Sequence, residues 1–238
     1  MKTLLDRLIG QLDTLMPFLS LSREDVFQIL NEHRIAWFPE NREALPAAYA
    51  TYRRQINHSA VLLGYSYFES FLVDLLVEIL RNRPAMLLKS KKLDYSEILD
   101  SPDKRALVDK LIQREIHELF YKSMEEIVEE LRKRYNFTIT DDEARGLTEA
   151  SLIRNCIIHN SSRADSRLSS LGKYQKDKEF EVSAGEVHSY GIMLRNLVRR
   201  LYQEACENHG VGVEHDAPRG SLSLPRLKKH LFRETRHG

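Results

Sequence analysis

From about Leu45 to Arg83 the chain carries apolar residues at helical spacing until Pro84 stops it. This stretch exceeds the usual domain helix, which predicts a kink or break near Gly64. Its most apolar part, Val61 to Leu80, contains Glu69, Asp74 and Glu78. Three acids are too costly for a membrane span, so the expectation is a core helix and no membrane partner.

The rest of the sequence is also helical in pattern, with only 10 Gly and 7 Pro in 238 residues. Apolar spacing predicts helices over about Thr3–Leu19 and Ser22–His33, with Trp37-Phe38-Pro39 as a loop pinned to the core. Residues 86–101 read as a loop with a short turn, and Asp103–Tyr135 as one or two helices. Thr140-Asp-Asp-Glu143 has the form of a capping box opening a helix that runs to about Asn160. Ser161–Gly172 is polar and turn-like, Lys178–Val182 reads as a short extended piece, and Ser183–Asn208 is the last firm helix. The fold class expected is all-α, with residues 1–210 as a single domain. Residues 211–238 hold six Lys/Arg against three Asp/Glu. They are expected to be a flexible basic tail, with the tracking of a phosphate backbone as its functional alternative.

Thirty-six Lys plus Arg against 35 Asp plus Glu leave a net charge of +1. That balance excludes binding nucleic acid by bulk charge, though not a local basic site. Cys156 and Cys206 belong to no CxxC pair, and Cys156 with His159 supplies only two ligands, so no metal site is expected. Reduced thiols and the absence of a signal peptide point to a cytoplasmic protein. No phosphate-binding GxxxxGK[ST] loop or HExxH motif occurs, and Gly210-Val-Gly212 follows a helix rather than a strand. Pro102-Asp103 with Asp109-Lys110 reads as a helix start and its surface. Glu129–Lys133 and Glu130–Arg134 read as i,i+4 pairs on a solvated helix face. His33 ends an expected helix, where its charge suits the dipole, and His117 and His188 lie in expected helices without ligand-spaced partners.

Residues 151–160, Ser-Leu-Ile-Arg-Asn-Cys-Ile-Ile-His-Asn, carry the chemistry. At 100° per residue, Leu152, Ile153, Cys156 and Ile157 form one arc, expected to face the core. The opposite arc holds Arg154, Ile158, Ser151, Ser162, Asn155 and His159. A solvated arc would carry Lys and Glu. Small residues, an isoleucine and a cation–amide–imidazole set instead suggest a helix buried on both sides, its second face met by another helix. Arg154 and His159 lie about 140° apart, so one copy flanks a groove, whereas a two-fold axis would bring two copies around one phosphate.

Arg154-Asn155-Cys-Ile-Ile-His159-Asn160 resembles the R-x4-6-H motif of HEPN domains in its RNxxxH form. The segment Tyr67–Leu76, which includes Glu69, is similar to that family's first core helix, and Phe180–Leu201 to its final one. The resemblance spans about Ala47 to Asn208. A second R-x4-H, Arg53 to His58, lies inside the long core helix and reads as a decoy. The resemblance implies a HEPN-like helical bundle with added N-terminal helices. It also implies a metal-independent endoribonuclease of a prokaryotic toxin–antitoxin or phage-defence system.

On that implication, Arg154, His159 and Asn155 are the catalytic set, and Glu69 and Asn160 support it. No cofactor or metal is expected. The RNA 2′-hydroxyl attacks the adjacent phosphate, leaving a 2′,3′-cyclic phosphate and a 5′-hydroxyl. Partners would be RNA, a second copy of the chain completing a composite active site, and an antitoxin or defence-complex protein. Glu69, a carboxylate in an apolar stripe with Leu62, Tyr65, Leu72 and Leu76, needs a partner. Arg154 near the active face and a purely structural partner, some other Arg or a Tyr, are the two candidates. The class-level alternatives are a non-catalytic HEPN nucleic-acid or nucleotide-binding adaptor and a purely structural helical interaction protein.

Overall fold

The computed structural model describes residues 5–6, 8–13, 45–87, 98 and 101–212. The long apolar stretch forms one helix, α1 (Leu45–Asn82), continuous through Gly64. The expected break there is absent. Glycine in a helix interior costs only about 1 kcal/mol against alanine, and Gly64 is buried where it lines a narrow cavity with Ala60, Ala150 and Gly191. These small residues line the meeting of α1 with its neighbours, so tertiary packing outweighs the local propensity. Within α1, Tyr49–Asn82 is long and apolar enough to cross a membrane by length and composition alone, and half of its most apolar window is buried inside the protein.

Five more helices follow: α2 (Lys104–Phe120), α3 (Met124–Arg134), α4 (Asp141–His159), α5 (Ser166–Ser170) and α6 (Ala184–His209). The architecture is all-α, and the described residues contain no strand. Among the described residues one isolated antiparallel bridge, Arg163–Glu179, falls within the short extended piece expected over 178–182. Helix α5 lies inside the segment expected to be only a turn, where the Asp165 carboxylate caps it by accepting from Leu168 N at 2.8 Å. The Asp103–Tyr135 stretch resolves into α2 and α3. Residues 8–13 are helical, within the first expected helix. The expected helix Ser22–His33, the Trp37-Phe38-Pro39 loop and tail residues 213–238 lie outside the described residues. Val211, placed in the tail by sequence, is buried in the core.

Local chemistry fixes the helix starts. Ser123 with Glu126, Thr140 with Glu143 and Ser183 with Glu186 each form a reciprocal capping box. In each, a hydroxyl and a carboxylate satisfy backbone N–H groups that would otherwise lack partners. Asp103 caps α2, accepting from Ala106 N at 2.8 Å. Asp109 pairs with Arg81 at 2.9 Å, so this segment is a helix start and its surface, as expected. Helix α6 ends on Gly210, whose left-handed backbone (φ 68°) suits glycine.

α1 is the axis around which α2, α4 and α6 pack. Its Leu72, Leu75, Leu76, Ile79 and Leu80 are buried with Ile112, Leu131, Leu147, Leu197 and Leu201 of the surrounding helices. Each fully buried side chain of this size contributes about 1.5–3 kcal/mol. A second apolar cluster, with Val61, Ile153, Cys156, Ala164, Leu168, Phe180 and Val182, lies under the C-terminal half of α4 and the 160–182 segment. It is the floor on which the 151–160 motif rests.

Candidate active site on helix α4

Both ends of α4 are anchored. At its start Glu143 closes the capping box with Thr140, and the Arg200 guanidinium of α6 donates to the Glu143 carboxylate at 2.5 Å. Burial raises the Glu143 pKa, but Arg200 and Thr140 more than offset it, and the carboxyl sits below its ordinary value. Ile153 and Cys156 are buried, with Leu152 and Ile157 packed partly against the same cluster, so the expected core-facing arc does face the core. At its end Asn160 is the C-cap: its N–H donates to Cys156 O at 3.0 Å and its Nδ2 to Arg163 O at 2.8 Å.

Arg154 is half-buried, and its Nη1 donates to Asn155 Oδ1 at 2.9 Å. Asn155 therefore holds the guanidinium. Arg154 Nε is buried without a partner among the described residues.

Glu69 of α1 lies within electrostatic reach of Arg154. Burial raises its pKa above the ordinary carboxylate value, and the Arg154 charge partly counters that. No direct Glu69–Arg154 ion pair forms among the described residues; the two interact through space. Tyr65, one turn before Glu69, is 2% exposed. Its phenol is pushed far up by burial and then by the Glu69 charge, with the Ser151 side chain and Arg154 acting against both. Tyr65, Glu69, Ser151 and Arg154 thus act on one another across the α1–α4 seam, with Asn155 bonded to the Arg154 guanidinium. Sequence reading placed Tyr65 in an apolar stripe. The signal for its role is the Tyr65–Glu69 i,i+4 spacing, which puts both on one face.

His159 is exposed at the last position of α4 and makes no hydrogen bond or ion pair among the described residues. The structure therefore brings Glu69, Arg154 and Asn155 together and leaves His159 apart, at the helix end. Ile158 beside it is 47% exposed. Ser162, placed on the outer arc by helical spacing, lies past the helix end, where that spacing no longer applies. Its hydroxyl turns inward to Nδ1 of His58 at 3.3 Å. His58 itself is buried in the middle of α1, where it cannot meet a substrate.

Residues Ser161 and Ser162 have φ of 50° and 61°, the left-handed region that costs a non-glycine residue roughly 1–2 kcal/mol. Such strain persists where surrounding contacts over-determine the backbone. Among the described residues no three His, Cys, Asp or Glu side chains are grouped to hold a metal ion. Burial raises the Cys156 thiol pKa, as befits a packed rather than reactive cysteine. The chain matches no protein-family model, no curated protein and no solved structure.

Proposed function

We propose that this chain is a metal-independent endoribonuclease of the HEPN type, acting as a homodimer. One observation carries the reading. On a single helix, a half-buried guanidinium is held by Asn155 beside Glu69, while an imidazole five residues on is exposed at the helix end. The first group is fixed for binding a phosphate, and the second is free for proton transfer.

RNA supplies its own nucleophile, so the protein need not bring one. The 2′-oxygen forms a bond to phosphorus as the bond to the 5′-oxygen breaks. His159 takes the 2′-hydroxyl proton or delivers one to the leaving oxygen, a role worth typically about 10²–10⁴-fold. Arg154 is charged throughout, and its fork matches the phosphate oxygens on which charge accumulates. Glu69 and Asn155 orient that fork, and Asn160 caps the helix that carries it.

Arg154 and His159 diverge by about 140° on one helix, so a two-fold pairing across the exposed Ile158 face would complete the site. The same reading makes the protein a cytoplasmic toxin or phage-defence nuclease with an antitoxin or defence-complex partner.

The test is RNA cleavage in EDTA. The wild-type chain should yield 2′,3′-cyclic phosphate and 5′-hydroxyl ends. His159→Ala and Arg154→Ala should each lose at least about 10²-fold in rate with an unchanged helical circular dichroism spectrum. Full activity in either folded variant would overturn the assignment. RNA binding without cleavage by the wild-type chain would favour the adaptor reading.

A further inference from the structure

Helix α4 cannot continue past His159, and the chain reverses through the left-handed pair Ser161–Ser162. Three contacts hold Ser162, each from a different part of the molecule. Its N–H donates to Cys156 O of α4 at 3.0 Å, and its carbonyl accepts from Phe180 N of the returning segment at 3.2 Å. Its hydroxyl meets Nδ1 of His58, from the middle of α1, at 3.3 Å.

His58 is an expensive residue to place there. It is 2% exposed, and its ring packs against Phe180 with centroids 5.4 Å apart. Phe180 belongs to the apolar cluster that also holds Ala60, Val61, Ile153 and Cys156. His58 Nε2 is buried with no partner among the described residues, a state that costs free energy. Burial first, then Arg54, lowers its pKa, while the Phe180 backbone and Glu181 act the other way. The imidazole is therefore held neutral and has no access to substrate. A leucine would fill the space without an orphaned nitrogen. What the imidazole supplies that leucine would not is polar contact with the returning chain, at the Ser162 hydroxyl and the Phe180 backbone.

The neighbouring Asn57 repeats the pattern. It is 3% exposed, and its Nδ2 donates to Val182 O at 2.9 Å. Two successive polar residues of α1 thus reach into the 160–182 segment, one at each end of it.

We propose that His58 is a positioning residue for the α4 site: through Ser162 it fixes the turn that follows His159 and so sets the direction of the catalytic imidazole. The catalytic part of this inference rests on the ribonuclease reading; the pinning of the turn does not. The sequence contains two R-x4-H matches, and the structure puts the histidine of one against the turn of the other.

The experiment uses the full chain and the variants His58→Leu, His58→Asn and Ser162→Ala. RNA cleavage and amide hydrogen exchange are both measured. His58→Leu and Ser162→Ala should each lower kcat by up to about 10²-fold, the size of a misplacement near 1 Å, with KM little changed. His58→Asn, whose amide occupies the place of Nδ1, should recover most of that loss. The double variant His58→Leu/Ser162→Ala should be no worse than the poorer single one, since both remove one contact. Exchange should quicken at residues 159–163 in His58→Leu and Ser162→Ala and stay unchanged over 147–153.

If His58→Leu fails to fold, Ser162→Ala, on a half-buried residue, reads the same contact. Unchanged kcat and unchanged exchange in a folded variant would overturn the proposal, and so would exchange that quickens evenly along α4. Local exchange as expected in a chain that cleaves no RNA would sustain the pin and overturn the ribonuclease reading instead.

Discussion

Glu69 of α1 and Arg154 of α4 are both half-buried and carry opposite charges, and the cation offsets part of the cost of burying the carboxylate. The compensation is incomplete, because burial dominates and the Glu69 pKa stays raised. A raised carboxyl pKa favours the folded state while Glu69 is protonated, and that contribution is lost as pH rises through the folded pKa. Glu69→Gln removes the titration. The variant should therefore gain stability relative to wild type as pH is raised from about 4 to about 7. Urea unfolding at both ends of that range checks it; parallel pH profiles would exclude a buried titrating Glu69. In the cleavage assay the same variant leaves Arg154 without its counter-charge, and a loss of roughly 10-fold is expected.

The start of α4 offers a separate test. Thr140→Ala removes one half of the capping box, which costs about 1 kcal/mol, or about 2–4 °C in Tm for a domain of this size. The active-site end of the helix lies almost its full length away, so cleavage well below Tm should be unaffected. Glu143→Gln should behave differently with pH. The Glu143 pKa is depressed on balance, so its stabilisation is present above the ordinary carboxylate value and is lost as pH falls through the folded one. The stability gap between wild type and Glu143→Gln should therefore close on acidification. A gap that widens would contradict the Arg200 and Thr140 contacts.

Arg134 separates a solvated charge from a structural one. Its side chain is 14% exposed and donates to Glu115, itself 4% exposed, at 2.6 Å and to Glu130 at 3.0 Å. It also donates to the Met86 carbonyl. Removing Arg134 takes away a charge-assisted hydrogen bond at Glu115, another at Glu130 and the donor at the Met86 carbonyl, so Arg134→Ala should destabilise by about 1.5–3 kcal/mol. Lys133→Ala, one residue earlier, breaks only the exposed pair with Glu129 and should leave stability unchanged. Equal effects in thermal melts of the two variants would contradict this ranking.

Arg134 also marks where sequence reading stops. The i,i+4 pairs Glu129–Lys133 and Glu130–Arg134 were both legible, and both form. That one lies on solvent and the other under the loop after α1 was not, because Glu115 and Met86 reach Arg134 from distant parts of the chain. The Thr140–Glu143 box was readable because all its partners lie within four residues, whereas the Arg200 contact to the same carboxylate was not. Helix type and the core arc of α4 followed from periodicity. The continuity of α1 through Gly64 did not, since it depends on what packs against a glycine. At the site, Arg154, Asn155 and His159 were named by the resemblance of their motif to that of HEPN domains. The inward turn of Ser162 escaped because helical geometry was extended past the residue where the helix ends. His58, set aside as a decoy, meets that turn through a contact spanning more than a hundred residues, beyond the reach of any local pattern.

Ile158 decides whether the site is completed by a second chain. It is 47% exposed on the helix that holds Arg154, and it sits between that residue and His159 in sequence. Covering an apolar side chain that is left in water is favourable, and on the proposed reading a two-fold contact there would bring the two copies of His159 and Arg154 together. Ile158→Glu places like charges on each other across such a contact while leaving every described intrachain partner of Arg154 in place. The variant should keep its helical circular dichroism spectrum, elute as a monomer where the wild-type chain is a dimer by light scattering, and lose cleavage by at least about 10²-fold, since the reacting groups are no longer brought to one phosphate. A wild-type chain that is monomeric and cleaves RNA, or an Ile158→Glu variant that stays dimeric and active, would place the partner of Arg154 and His159 somewhere other than this face.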